Sequence, residues 1–122
     1  MDWKIKKDVL LSIMEISKKT FPNEFSGLLY GDLKTKILTD LYILPATQNY
    51  NNLTILRTDL APMIFNLIGS VHSHPSGFGK PSKADLHFFS TKAINIITYS
   101  PFRDNDFIAY DRIGQSVLVK II

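Results

Sequence analysis

Residues 70–85 constrain this chain more than any other stretch: Ser-Val-His-Ser-His-Pro-Ser-Gly-Phe-Gly-Lys-Pro-Ser-Lys-Ala-Asp. The apolar run 67–73 that leads into it reads as a strand. In a strand, side chains two apart share a face, so His72 and His74 aim at one point while Ser73 points away. Pro75 stops the strand just past them. Gly77, Gly79 and Pro81 make residues 76–81 a loop. Ser82-Lys83-Ala84-Asp85 then opens a helix over residues 82–92. The order strand, loop, helix start carries Asp85 back toward the two imidazoles. Two imidazoles and a carboxylate make a three-donor metal site with a fourth position left for water, which is what hydrolytic zinc chemistry requires.

Each part also has a plainer reading. A His-x-His pair occurs without any metal. A serine followed three residues later by an acid is a helix N-terminus signature, with Ser82 as the cap and Asp85 complementing the helix dipole. The two readings are compatible, because capping fixes the helix start that brings Asp85 round. His87 lies about 200° from Asp85 on the same helix and reads as a surface or packing residue. A hydrolytic metal site also needs a group to handle protons. Glu24, at the entry to the apolar run 25–31, is the candidate; its plainer reading is an exposed loop carboxylate.

The rest of the chain supplies the frame. Residues 3–5 read as a short strand and residues 8–19 as a helix, with Val9, Ile13 and Ile16 on one stripe and Leu10 widening it. Pro22 ends that helix. Residues 25–30 and 36–44 form two strands around the Gly31-Asp32 turn, an antiparallel hairpin. Residues 46–52 read as an amide-rich loop and residues 59–66 as a short helix capped by Thr58. Residues 93–99, 106–111 and 116–121 are three further strands, parted by Pro101 and Gly114. The natural layering is a sheet with helices packed on it. At 122 residues the chain is a single domain, 1–122, long enough to bury a core unaided.

Composition removes several function classes. With no cysteine, disulfides, thiolate nucleophiles and Cys-ligated zinc are excluded. So are the nucleobase deaminases, which need Pro-Cys-x-x-Cys. The His-Glu-x-x-His of helical zincins is absent. The N-terminal apolar run is broken by Glu15 before it could act as a secretory core, and no stretch approaches the length of a membrane span, so a cytoplasmic protein without membrane contact is expected. The formal net charge of +3 is scattered over the chain and reads as a solvated basic surface.

Glu24 before Ser26-Gly27-Leu28-Leu29-Tyr30-Gly31, then His72-Ser73-His74-Pro75, then Ser82-x-x-Asp85, together resemble the JAMM (MPN-plus, JAB domain) zinc metalloproteases, in particular small prokaryotic and archaeal members. The likeness runs from residue 3 to about residue 111, and the combined pattern is far more specific than any one element. Many small members carry a cysteine where this chain has Ser26; that position is not a ligand in the family. The resemblance implies a cytidine-deaminase-like three-layer α/β/α fold with a central mixed β-sheet. It implies one catalytic Zn2+ held by His72, His74 and Asp85. Glu24 would be the general base toward the zinc-bound water, and Ser82 would hold that water or stabilise the oxyanion. The implied substrates are isopeptide or peptide bonds after the flexible C-terminal tail of a ubiquitin-like or sulfur-carrier protein. The small size favours broad or small-modifier specificity over linkage-specific ubiquitin cleavage, with residues 46–57 the one candidate for a substrate-contacting insertion. A homodimer is a further expected state, since exposed faces of this fold often self-associate.

Two other readings compete. The same His-x-His-Pro-Ser-Gly and Pro-Ser-x-x-Asp resemble the RadC-type, DNA-associated branch of the fold, but there is no preceding helix-hairpin-helix segment and no basic stripe. A non-catalytic MPN scaffold would usually lack the ligands, and here all three are present.

Overall fold

A computed structural model of the chain describes residues 2–43 and 66–122. The expected loop 46–52, the candidate insertion 46–57 and the expected helix 59–66, apart from Asn66, lie outside the described residues. In chain order the elements are β1 (Trp3–Ile5), α1 (Lys7–Thr20), β2 (Ser26–Asp32), β3 (Ile37–Ile43), β4 (Leu67–His74), α2 (Lys83–Phe89), β5 (Ile94–Tyr99), β6 (Phe107–Tyr110), β7 (Ser116–Val117) and β8 (Val119–Ile121). No described helix is long and apolar enough to cross a membrane.

Helix α1 has Asp8 in its first turn and Lys18 and Lys19 in its last, complementing the dipole at both ends. It buries Val9, Leu10, Ile13, Met14 and Ser17. The stripe is thus rotated from the expected one: Ser17 faces inward and Ile16 is only half-buried. A serine is tolerated there because its hydroxyl is satisfied, bonding the Ile13 carbonyl at 2.8 Å and lying 2.9 Å from the Thr98 hydroxyl.

Among the described residues the strands form one sheet in the order β7-β6-β5-β4-β2-β3-β1-β8. It is mixed. β4 runs parallel to β5, and β1 runs parallel to both β3 and β8; the other pairings are antiparallel. The expected β2–β3 hairpin is present. Alternation assigns the faces. Leu29, Val71, Ile96 and Ala109 join Val9, Leu10, Ile13 and Met14 of α1 in the main core. On the opposite face Ile97 and Tyr110 pack with Phe89 of α2. The two helices therefore cover opposite faces of a central mixed sheet.

The last strand departs from the expectation. Residues 116–121 are not one strand but two, and they lie at opposite ends of the sheet. Val117 pairs with Ala109 on β6, while Val119 pairs with Trp3 on β1. Leu118 between them is exposed. Residues two apart lie at most about 7 Å from each other, so the two edges of the sheet must meet at this point. The sheet curls round the α1 core, and one short segment completes both of its edges. Helix α2 is also shorter than expected. It stops at Phe89 because Asn95 Nδ2 of β5 donates to the carbonyls of Phe89 and Lys92, both at 3.4 Å. The Ser70 hydroxyl holds Asn95 Oδ1 at 2.6 Å.

Candidate metal centre

β4 is buried along its whole length except at His74, its last residue, which is partly buried. It delivers His72 and His74 to one face, as the alternation requires. Their Nε2 atoms lie 3.1 Å apart. Asp85 closes the triangle, with Oδ1 3.2 Å from His72 Nε2 and Oδ2 3.4 Å from His74 Nε2. Zinc bonds of about 2.0–2.1 Å at tetrahedral angles set donor atoms about 3.3–3.4 Å apart. The two imidazole nitrogens stand near that spacing, and each has a carboxylate oxygen of Asp85 near it as well. One ligand atom from each of the three residues lies within 4.8 Å of the other two, and two nitrogens with one oxygen are a donor set that zinc accepts. The residues fit one zinc ion.

Asp85 reaches this point because the start of α2 is fixed. The Ser82 N–H donates to Asp85 Oδ2 at 2.8 Å, and the Asp85 N–H donates to Ser82 Oγ at 3.1 Å. This reciprocal pair is a capping box. Both readings of the Ser-x-x-Asp motif hold at once: one carboxylate caps the helix and faces the histidines. Burial alone would push its pKa up. The hydrogen bonds from His72, His74 and the Ser82 N–H outweigh that and hold it far below the usual carboxylate range. The same contact acts in the opposite direction on its partner, and the hydrogen bond to Asp85 raises the pKa of His74.

The far side of His74 is tied as well. Its Nδ1 lies 3.1 Å from the Phe78 carbonyl, which can only accept. An Nδ1–H donated there leaves Nε2 as the atom turned toward the other donors, the usual outer-shell arrangement of a histidine ligand. The loop carrying Phe78 is pinned in turn by the Tyr110 hydroxyl, which donates to the Gly79 carbonyl at 2.7 Å. Phe89 stacks on Tyr110 with ring centroids 5.6 Å apart and lies 6.3 Å from the His72 ring. The C-terminal end of α2 thus backs the ligand that its N-terminal end faces.

Glu24 and Ser82 line the same cleft as His74 and Asp85, of about 450 Å³. Glu24 is exposed, and its charge is close enough to contribute to the raised pKa of His74. Ser82 Oγ accepts from the Asp85 N–H and keeps its own hydrogen to donate. All five candidate residues are therefore brought to one place. His87 is exposed and stands apart, as a surface residue. Sequence reasoning missed two contributors. The Phe78 carbonyl carries no side-chain signal at all. Strand alternation only turns Ser73 away from the ligands, whereas in the structure its buried hydroxyl accepts the Phe25 N–H at 2.8 Å; a serine amid an otherwise apolar stripe is the available signal.

The comparisons with known proteins agree with this geometry. The family described as prokaryotic homologs of the JAB domain matches residues 6–110. A protein named "Probable metalloprotease" from Haloferax volcanii is 37% identical over 119 residues, covering 91% of this chain and 74% of that protein. A JAB1/MPN domain protein from Archaeoglobus fulgidus superimposes with a TM-score of 0.78 at 28% identity, covering 99% of this chain and 98% of its own. A structure described as a JAMM metalloprotease-like zinc site in the proteasome and signalosome gives a TM-score of 0.77 at 28% identity, covering 100% and 99%. With the family match spanning most of its length, this chain belongs to the prokaryotic branch of the JAB (JAMM/MPN) domain family.

Proposed function

We propose that this protein is a zinc-dependent metallopeptidase that hydrolyses isopeptide or peptide bonds after the flexible C-terminal tail of a ubiquitin-like or sulfur-carrier protein. The observation that carries the reading is the convergence of Glu24 and Ser82 on the cleft that holds His74 and Asp85. His72, His74 and Asp85 would hold the zinc, which supplies Lewis acidity, lowering the pKa of a water toward about 7 and polarising a carbonyl. Glu24 accepts the proton of the attacking water and hands it to the departing amine. Its exposure at the mouth of the cleft suits a group that must exchange protons with both water and substrate. Ser82 donates its hydroxyl hydrogen to the developing oxyanion, a contribution of about 3–4 kcal/mol for a well-placed donor. The relative named a probable metalloprotease supports the class of reaction.

The test is direct. Zinc-loaded protein is incubated with ubiquitin-like and sulfur-carrier proteins fused through their C-terminal tails to a reporter, and the products are read by intact mass. Cleavage directly after the tail, abolished by a chelator and restored by zinc, is the expected result. Intact fusions across the whole panel, from protein carrying one zinc per chain, would overturn the reading.

A further inference from the structure

We propose that Ser73, the residue between the two histidines, is a positioning residue for Glu24. This rests on the function proposed above. Ser73 lies on the opposite face of β4 from His72 and His74, and it is 1% exposed. Its hydroxyl oxygen accepts the Phe25 N–H at 2.8 Å. Its own N–H donates to the Phe25 carbonyl at 2.9 Å. The next pair along, Ser26 with His72, begins the regular β2–β4 register. Ser73 therefore grips Phe25 at both its backbone groups. The bonded N–H belongs to the peptide that joins Glu24 to Phe25, so the hydroxyl fixes the backbone from which the Glu24 side chain departs.

On the other side of Glu24 the chain is held by its own turn, in which the Asn23 N–H donates to the Thr20 carbonyl at 2.8 Å. α1 ends at Thr20, and Glu24 lies in the short exposed stretch before β2, where residues 21–24 are all solvent-facing. Phe25, by contrast, is buried. Glu24 thus stands between the Asn23 turn and the Phe25 amide, and the Phe25 amide is the point at which its backbone is tied to the strand that carries the histidines. Three consecutive residues of one strand then serve the centre, His72 and His74 through their side chains on one face and Glu24 through the Ser73 hydroxyl on the other, while the capping box of α2 sets Asp85 and Ser82. The alternation of a strand makes this economical, since the residue between two ligands necessarily turns away and is available to hold something else. The two tasks are separable. Removing the hydroxyl leaves both imidazoles and Asp85 where they are, and loosens only the base. A proton acceptor displaced by about 1 Å can cost up to about 100-fold in rate.

The test compares Ser73→Ala and Ser73→Thr with the unaltered protein, each loaded with zinc. The first readout is amide hydrogen exchange followed by NMR, which needs no substrate. Ser73→Ala should speed exchange at the Phe25 amide by about tenfold or more, with Leu28 and Leu29 unchanged. The second readout is steady-state cleavage of a tail-fused reporter. In Ser73→Ala, kcat should fall by about tenfold or more with KM and zinc content unaltered, and Ser73→Thr should recover it to within about threefold. The third is the same change made in Glu24→Gln, where the further loss should be under about threefold, because a displaced group that no longer works costs little more. An unchanged Phe25 amide, an unchanged kcat, lost zinc, or an equal loss with and without Glu24 would each overturn the inference. If the unaltered protein cleaves nothing, the proposed function falls, and the Phe25 exchange still decides whether Ser73 holds the Glu24 segment.

Discussion

At the scale of single residues, the centre is a set of opposed preferences held in one triangle. Asp85 is kept ionised by the histidines against the cost of its burial, and His74 is kept protonated more readily by Asp85. The pH dependence of the zinc-free protein follows from these directions. Asp85, with its folded pKa lowered, stabilises the fold above its ordinary value of 3.8 and loses that contribution as pH falls through the folded value. His74, with its folded pKa raised, stabilises the fold below its ordinary 6.5 and loses that contribution as pH rises through the folded value. The pair contributes most between the two ordinary values. Chelated protein should therefore have a higher urea midpoint at about pH 5.5 than at about pH 8.5, and Asp85→Asn should flatten the difference. A difference unaltered in Asp85→Asn would count against the pair. Zinc reverses the preference, since ligands must shed protons to bind it. Asp85→Ala should weaken zinc binding by more than about 100-fold, beyond the loss typical of an outer-shell partner. Stoichiometric zinc in that variant would refute Asp85 as a ligand. The histidines were legible in the sequence because strand alternation is a local rule. The second role of Ser73 was not, because its partner, Phe25, lies 48 residues away.

At the scale of elements, α2 is the vulnerable part. It has only seven residues, too few to be stable alone, so its ends decide its position. The capping box holds the N-terminal end, and Phe89, fully buried against Ile97 and Tyr110, holds the other. Phe89→Ala should cost about 3–5 kcal/mol in denaturant unfolding. It should also weaken zinc binding, as Asp85 rides on the same helix. Stability falling while zinc affinity stays fixed would show that the capping box alone sets Asp85. Gly114 makes a related contribution. Its φ is +85° and an added Cβ would press on Leu86 of α2. Gly114→Ala should cost about 1–2 kcal/mol from the left-handed backbone alone, with the push on Leu86 added to it. A neutral Gly114→Ala in the same unfolding experiment would refute that account. The start of α2 was readable from Ser82 and Asp85, a capping signature four residues long. Its end was not, since no local breaker follows Phe89; the stop comes from Asn95, reaching back from the neighbouring strand.

At the scale of the whole molecule, the curled sheet sets what the chain can tolerate. β8 closes the edge beside β1, and β1 carries Trp3, the one tryptophan of the sequence, largely buried. Removing residues 119–122 should strip β1 of one of its two neighbours, shift Trp3 emission to the red and lower the thermal midpoint. Emission unchanged on truncation would mean that β1 does not depend on β8. The element order and most strand positions were legible from apolar runs and turn residues. The splitting of residues 116–121 was not, because β-propensity marks a residue as strand without saying which strand it joins. That choice is made by the curvature of the sheet, which brings β6 and β1 to either side of Leu118.

These scales meet at Glu24, the residue to which the proposed function assigns proton transfer. The most direct measurement is of Glu24→Gln beside the unaltered protein: zinc per chain by elemental analysis, and turnover of a tail-fused reporter on the same samples. One zinc per chain in both, with cleavage in the variant down by at least about 100-fold, is the predicted result. Full turnover by the zinc-loaded variant would contradict the assignment of proton transfer to Glu24.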